Sequence, residues 1–103
     1  MTLLELVIKE YLTIVSNLED TEAVINDRII IEREYFQNLL MKYQYMSFKD
    51  KTKIYKQLNL IIHDKNNYTM PVKDEISKKT ARKVVINYQT YLLIKQLTET
   101  IIK

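Results

Sequence analysis

The chain contains no glycine in 103 residues, and this absence limits the turns it can form more than any other feature. Tight turns and helix ends often need a residue with positive φ, and after glycine the most tolerant type is asparagine. The asparagines fall between the periodic segments of the sequence, where the chain must change direction. We therefore predict turns or helix ends at these asparagines: Asn17, Asn26, Asn59, Asn66 and Asn67.

The composition predicts one cytoplasmic domain that spans residues 1–103. Hydrophobic residues make up 47% of the chain, which is enough for one modest core. Cysteine is absent, which excludes disulfides and thiolate metal sites and fits a reducing compartment. No apolar run approaches the roughly 20 residues of a membrane span, so no membrane partner is expected. The N-terminal segment carries acids and lacks the basic start of a signal peptide.

Charge is distributed unevenly along the chain. Residues 1–34 hold eight acids against three bases, whereas residues 35–103 hold thirteen bases against five acids. The two parts therefore carry net charges of −5 and +8 within a total of +3. This asymmetry indicates that the C-terminal two-thirds faces a polyanion. The alternative is a solvated surface with two differently charged sides.

Helical spacing of apolar side chains indicates four helices. They are predicted at residues 3–16, 35–43, 48–58 and 90–102. Ser47 and Asp50 have the spacing of a capping box at the start of the third helix, and Thr90 is expected to cap the fourth. The polar segment 19–27 is compatible with a short helix or a loop.

Runs of β-branched and alternating apolar residues indicate three strands. Adjacent isoleucines favour a short strand at 28–33, with a continuous helix from 20 to 45 as the alternative. Alternation predicts a hairpin of strands 68–74 and 81–88, joined by a polar loop. Pro71 cannot donate to a ladder, so its side of the strand must face an edge or a bulge. The expected fold class is α+β.

From residue 27 to 88, the predicted order of strand, helix, turn, helix and hairpin resembles the winged helix-turn-helix family. The segment Leu58-Asn59-Leu60-Ile61 is similar to the Leu-Gly-Leu-Ile that ends recognition helices in that family, with Asn59 in place of glycine. The resemblance implies a winged helix-turn-helix with extra N- and C-terminal helices. It also implies that residues 48–58 read double-stranded DNA and that the hairpin is the wing.

The helix 48–58 is expected to present a basic face to DNA. At about 100° per residue, Ile54, Leu58 and Ile61 group on the core side and the basic residues group on the other. Lysine contacts phosphates or guanine, and threonine contacts base edges or the thymine methyl. The alternative is an ordinary solvated helix face. The candidate DNA-binding residues here are Ser47, Lys49, Thr52, Lys53 and Lys56.

The hairpin carries a second group of bases, at the position of the wing. Its candidate DNA-binding residues are Lys73, Lys78, Lys79, Arg82 and Lys83. Arg82 is the one arginine in residues 35–103, so we expect it to make the minor-groove or bidentate contact. The other lysines add affinity and salt dependence. The alternative is a lysine-rich edge that prevents aggregation between strands.

No pattern typical of an enzyme is present. The lone His63 lacks cysteine partners for a metal, the serines have no base near them in sequence, and a glycine-rich phosphate loop is excluded. We therefore expect no catalytic residues, no metal and no cofactor. Tyr45 and Tyr55 are interpreted as exposed, which leaves base stacking on single strands as a further alternative. The remaining tyrosines near apolar faces are assigned to the core: Tyr43, Tyr68, Tyr88 and Tyr91.

The wide apolar stripes of the terminal helices predict a homodimer that reads paired half-sites. In size and composition the chain is similar to accessory relaxosome proteins of clostridial conjugative plasmids, of the TcpK type. That similarity implies binding near an origin of transfer and contact with a relaxase. The alternatives are a minimal transcriptional repressor of a plasmid or phage and a winged-helix module, such as a phage inhibitor, that binds protein instead of DNA.

Overall fold

The computed structural model describes residues 2–102 and shows an α+β protein, which confirms the predicted class. The helices are α1 (Leu3–Thr21), α2 (Arg33–Met41), α3 (Phe48–Gln57) and α4 (Tyr88–Ile102). The strands are β1 (Arg28–Ile31), β2 (Ile61–Ile62), β3 (Met70–Lys73) and β4 (Thr80–Asn87). A strand, not a helix, therefore follows α1, and the alternative of a continuous helix from 20 to 45 is wrong.

Strand β4 organises the antiparallel sheet. Its first half pairs with β3, as in the register Pro71 to Arg82, and its second half lies between β1 and β2. Ile86 is opposite both Ile29 and Ile61 at this centre, where all three side chains are buried. Pro71 lies in a strand that pairs on one side with β4, as expected for a residue without an N–H.

Helix α1 supplies one wall of the core. A capping box at Thr2 and Glu5 satisfies its first amides, and its apolar stripe continues at i+3 and i+4 spacing to Leu18. The helix therefore extends five residues past the predicted end at residue 16, and the turn expected at Asn17 is wrong. The stripe joins one buried cluster with side chains of the sheet, α2, α3 and α4, and α4 lies directly against α1. Each fully buried aliphatic or aromatic side chain contributes roughly 1.5–3 kcal/mol to this packing.

Four residues in the described part of the chain take positive φ in the absence of glycine. Asn26 (53°) and Asn59 (55°) confirm the prediction that asparagine replaces glycine at turns, before β1 and after α3. Asp27 (60°) and Lys78 (62°) take the same conformation, which the sequence did not predict. The chain bends at Asn66, and Asn67 follows directly, but neither residue takes positive φ.

Two further predictions are corrected near α3 and α4. Leu58 and Tyr43, assigned to the core, are 37% and 42% exposed, because both lie where the chain leaves a helix. Helix α4 starts directly after β4, and Asn87 Oδ1 accepts from the amide of Thr90 at 3.2 Å. Asn87, not Thr90, is thus the residue whose side chain caps α4. Within residues 2–102, no helix combines the length and apolarity needed to cross a membrane.

Candidate nucleic-acid interface

Helix α3 begins at the serine that the sequence identified. Ser47 Oγ accepts from the amide of Asp50 at 3.2 Å, which satisfies one of the free donors in the first turn. Asp50 places a carboxylate beside the positive end of the helix dipole. The hydroxyl of Ser47 therefore fixes the start of α3. The DNA contact expected of Ser47 would be additional to this role.

A buried ion pair joins α3 to α1. Lys51 Nζ lies 2.6 Å from Glu10 Oε2, and each side chain is 1% exposed. The two remaining ammonium protons are donated to the carbonyls of Leu40, at the end of α2, and Tyr43, in the turn before α3. The ammonium also lies 4.2 Å from the centre of the Tyr45 ring. All three ammonium donors are therefore used, which is the condition for a buried charge to be tolerated.

The other oxygen of Glu10 accepts from two tyrosines. Tyr45 and Tyr55 each donate a hydroxyl to Glu10 Oε1 at 2.8 Å. Burial first, and then the neighbouring Glu10 carboxylate, raises the pKa of both tyrosines well above 10, so both remain protonated donors at neutral pH. Tyr55 is fully buried and Tyr45 half-buried, so the expectation that both are exposed for base stacking is wrong for Tyr55.

This cluster fixes the position of the α2–turn–α3 unit. Glu10 is on α1, Lys51 and Tyr55 are on α3, and the two carbonyl acceptors lie in α2 and the turn. One lysine therefore satisfies orphan carbonyls at the end of α2 while it holds α3 against α1. A polar cluster with every member paired holds one arrangement of the three helices.

The outward face of α3 carries lysines. Lys49 and Lys53 are exposed and Lys56 is half-buried, as the helical wheel predicted. Thr52, predicted on the same face, is only 7% exposed, and its hydroxyl donates to the Lys49 carbonyl at 2.8 Å. The prediction for Thr52 is corrected, because this position is at the edge of the apolar face, about 100° from the buried Lys51. A base contact by Thr52 would require this side chain to leave its site.

A shallow basic depression lies where α3 meets the segment after β2. Its volume is about 260 Å³. Three lysines, one glutamine and one histidine line it: Lys53, Lys56, Gln57, His63 and Lys65. Nδ1 of the histidine ring lies 2.7 Å from the Asp64 carbonyl, which can only accept, so this nitrogen carries a proton. The sequence analysis identified two of these five residues.

The hairpin presents three of its predicted bases to solvent and uses the other two internally. Lys73, Lys78 and Lys79 are exposed. Arg82 Nη2 forms an ion pair with Asp64, and its Nε donates to Thr69 Oγ1 at 2.9 Å. Lys83 Nζ lies 2.9 Å from Glu32 Oε1. Arg82 therefore links β4 to the segment that precedes β3, and the DNA contact expected of it competes with these bonds.

The tip of the hairpin is held by hydrogen bonds across a turn. The Asp74 amide donates to the Lys79 carbonyl and the Lys78 amide to the Asp74 carbonyl, both at 2.8 Å. Asp74 Oδ1 accepts from the Ile76 amide at 2.9 Å, and this bond is the main cause of the lowered pKa of Asp74. The positive φ of Lys78 completes the turn that glycine would ordinarily make. Lys78 and Lys79 are therefore displayed from a defined backbone.

Among the lysines of this region, Lys51 and Lys65 are the two to which the sequence analysis gave no role. A signal existed for Lys51, because it is four residues before Tyr55 and shares a helix face with Ile54 and Leu58. No local signal marks Lys65, which joins the basic face only because the chain folds back beside α3. Among residues 2–102, no group of three or more potential metal ligands is found.

Comparison with protein-family models finds no match, and comparison with curated proteins finds no similar sequence. The arguments below therefore rest on the geometry and charge of this chain.

Proposed function

We propose that this protein is a winged helix-turn-helix that binds double-stranded DNA, with α3 in the major groove and the β3–β4 hairpin as the wing. The observation that carries the proposal is that most lysines of α3 and the hairpin form no ion pair within the protein. The ion pairs among the described residues use Lys51, Arg82 and Lys83. The other bases of α3, the depression and the hairpin form no ion pair among the described residues. They are Lys49, Lys53, Lys56, Lys65, Lys73, Lys78 and Lys79.

The dimensions of α3 support this role. Its 10 residues span about 15 Å, and a helix about 10–12 Å wide fits the B-DNA major groove, which is about 12 Å wide. Its inner face is fixed by the Glu10–Lys51 cluster, so its outer face has a defined orientation. Lysines supply mainly phosphate contacts, so we expect strong non-specific affinity and modest sequence preference.

Anisotropy of labelled duplex DNA at two salt concentrations tests DNA binding. Contacts through the lysines predict that log Kobs falls steeply with log salt, by about 0.9 for each neutralised phosphate. Absence of binding at about 50 mM salt, where such contacts are strong, would contradict the proposal and favour a protein-interaction module.

Two double variants test whether α3 reads the DNA sequence while the hairpin anchors the protein to the DNA backbone. Replacing Lys53 and Lys56 by alanine should weaken a preferred sequence most, whereas replacing Lys78 and Lys79 should weaken all duplexes alike. Arg28→Ala, at an exposed position on β1 outside α3, the hairpin and the terminal helices, is the control for loss of one charge elsewhere. Identical behaviour of the two double variants would show that the helix and hairpin have no separate roles.

We also propose that the protein forms a homodimer through α1 and α4. Their outer faces leave leucines about half exposed, including Leu4 (56%), Leu93 (57%) and Leu97 (52%). An apolar groove of about 540 Å³ runs between the two helices, and its rim carries Glu5 and Lys9 one turn apart on α1. Under a two-fold axis, Glu5 of each copy can face the lysine of the other, so the surface complements itself.

A role as an accessory factor in conjugation, with a relaxase as partner, is proposed from the resemblance to accessory relaxosome proteins alone. A relaxase that co-purifies with this chain on origin-of-transfer DNA would support it. A repressor of its own promoter is the competing role, which a reporter assay measures directly.

A further inference from the structure

The basic depression beside α3 contains positive charge without a compensating carboxylate among its lining residues. Three lysines surround it, together with Gln57 and His63. The nearest acid in sequence is Asp64, whose carboxylate is already paired with Arg82. Three ammonium groups around one concavity repel one another, and an anion bound between them would offset that repulsion. The depression is therefore suited to bind an anion.

We propose that this depression binds one phosphodiester group of the DNA backbone, which fixes the depth and register of α3 in the groove. This inference rests on the proposed DNA binding. It adds Gln57, at the end of α3, to the interface, together with His63 and Lys65, which lie outside α3. A contact of this kind positions the protein and carries no sequence information.

Two elements hold the lining residues in place. Lys53, Lys56 and Gln57 have i, i+3 and i+4 spacing, so they share one face of the last turns of α3. On the other side, β2 is fixed by its pairing of Ile62 with Val85, and His63 follows directly. The bond from Nδ1 of His63 to the Asp64 carbonyl orients the ring. Helix α3 and the end of β2 thus position four of the five lining residues, and the irregular segment after β2 supplies the fifth, Lys65.

The form of the depression favours a backbone phosphate over a free one. It is open, and it shares Lys53 and Lys56 with the outward face of α3. A ligand that continues beyond the depression, as a nucleic-acid strand does, therefore reaches lysines on both sides of the shared pair. Lysine ammonium groups suit this task because each is a compact charge with three donors.

Lys65→Ala tests the site because Lys65 lies outside α3 and is exposed, so its loss leaves the helix intact. In the anisotropy assay with a random duplex, the variant should bind more weakly to all sequences. The slope of log Kobs against log salt should fall by about 0.9, so a fourfold rise in salt costs the variant about 3.5-fold less affinity than it costs the parent. Arg28→Ala, on β1 and outside the proposed binding surfaces, should leave the slope unchanged.

The results of this test distinguish failure of the phosphate site from failure of the proposed DNA binding. If the parent protein binds duplex and Lys65→Ala matches it in affinity and slope, the phosphate site is wrong while DNA binding stands. If the parent protein does not bind duplex, both proposals fail. Titration of inorganic phosphate, followed by the amide NMR signals of residues 63 and 65, is expected to show no saturation below millimolar concentrations. Tight saturation would identify a site for free phosphate and overturn the assignment to DNA.

Discussion

Replacing Lys51 by methionine removes one member of the buried ion pair and leaves the Glu10 carboxylate without its counter-charge. Methionine has a straight chain of similar length, so the substitution creates little empty volume. The tyrosine hydroxyls still donate to Glu10, but the carbonyls of Leu40 and Tyr43 lose their donor. The main cost is therefore electrostatic.

The size of that cost follows from burial. Both charged side chains are 1% exposed, so solvent does not screen the remaining carboxylate. Removing one partner of such a pair costs about 3–5 kcal/mol, out of a total of about 5–15 kcal/mol for a typical domain. Replacing both partners, as in Glu10→Gln with Lys51→Met, removes both charges and keeps an amide oxygen for the tyrosines. The double variant should therefore be more stable than Lys51→Met alone, by about 2 kcal/mol or more.

Urea unfolding, followed by far-UV circular dichroism, measures these differences as shifts in midpoint at constant slope. Lys53→Met on the exposed face of α3 is the control, and it should change the free energy of unfolding by less than about 0.5 kcal/mol. The decisive quantity is the change in unfolding free energy when Glu10→Gln is added to Lys51→Met. If Glu10→Gln lowers the stability of the Lys51→Met variant further, the cluster is held by something other than opposed buried charges.

Two further predictions concern assembly and alkaline stability. Light scattering should give twice the mass of one chain for the parent protein and a single-chain mass for Leu93→Glu, whereas a concentration-independent monomer mass for the parent would exclude the dimer. Because burial raises the pKa of Tyr55 in the folded protein, its stabilising contribution is complete below pH 10 and is lost as pH rises above it. Tyr55→Phe should therefore reduce the fall of unfolding free energy between about pH 10 and 12 by about 1.4 kcal/mol per pH unit, and equal slopes would contradict the assigned burial.

Elements set by local physics were predictable from the sequence. Ser47 as a cap, Asn59 at positive φ and the strand at the three isoleucines depend on a few neighbouring residues, and all three are confirmed. The end of α1 was predicted too early because asparagine was interpreted as a turn marker everywhere. At Asn17 the apolar stripe that continues to Leu18 outweighs the preference of one exposed residue.

The candidate site was less predictable because its charges depend on tertiary partners. The sequence shows Lys51, Lys53 and Lys65 as equivalent bases, yet one is buried against α1, one is on the helix face and one arrives from a separate segment. The role of Arg82 was unpredictable for the same reason, because it depends on a partner that only the folded chain brings close. Its partner Asp64 is 18 residues away, and the pairing of β4 with β2 and β3 brings the two sides of this ion pair together.

Strand β4 has a mechanical consequence. It runs for 8 residues from the hairpin tip to the centre of the sheet, and α4 begins at the next residue without a connecting loop. The hairpin and the C-terminal helix are therefore joined by one continuous strand, whose second half is hydrogen-bonded on both sides, to β1 and β2. In the proposed dimer joined through α4, movement of a hairpin relative to its α4 would disturb this pairing. If the dimer binds paired half-sites as proposed, the spacing between the two hairpins would therefore limit how far apart those half-sites can be.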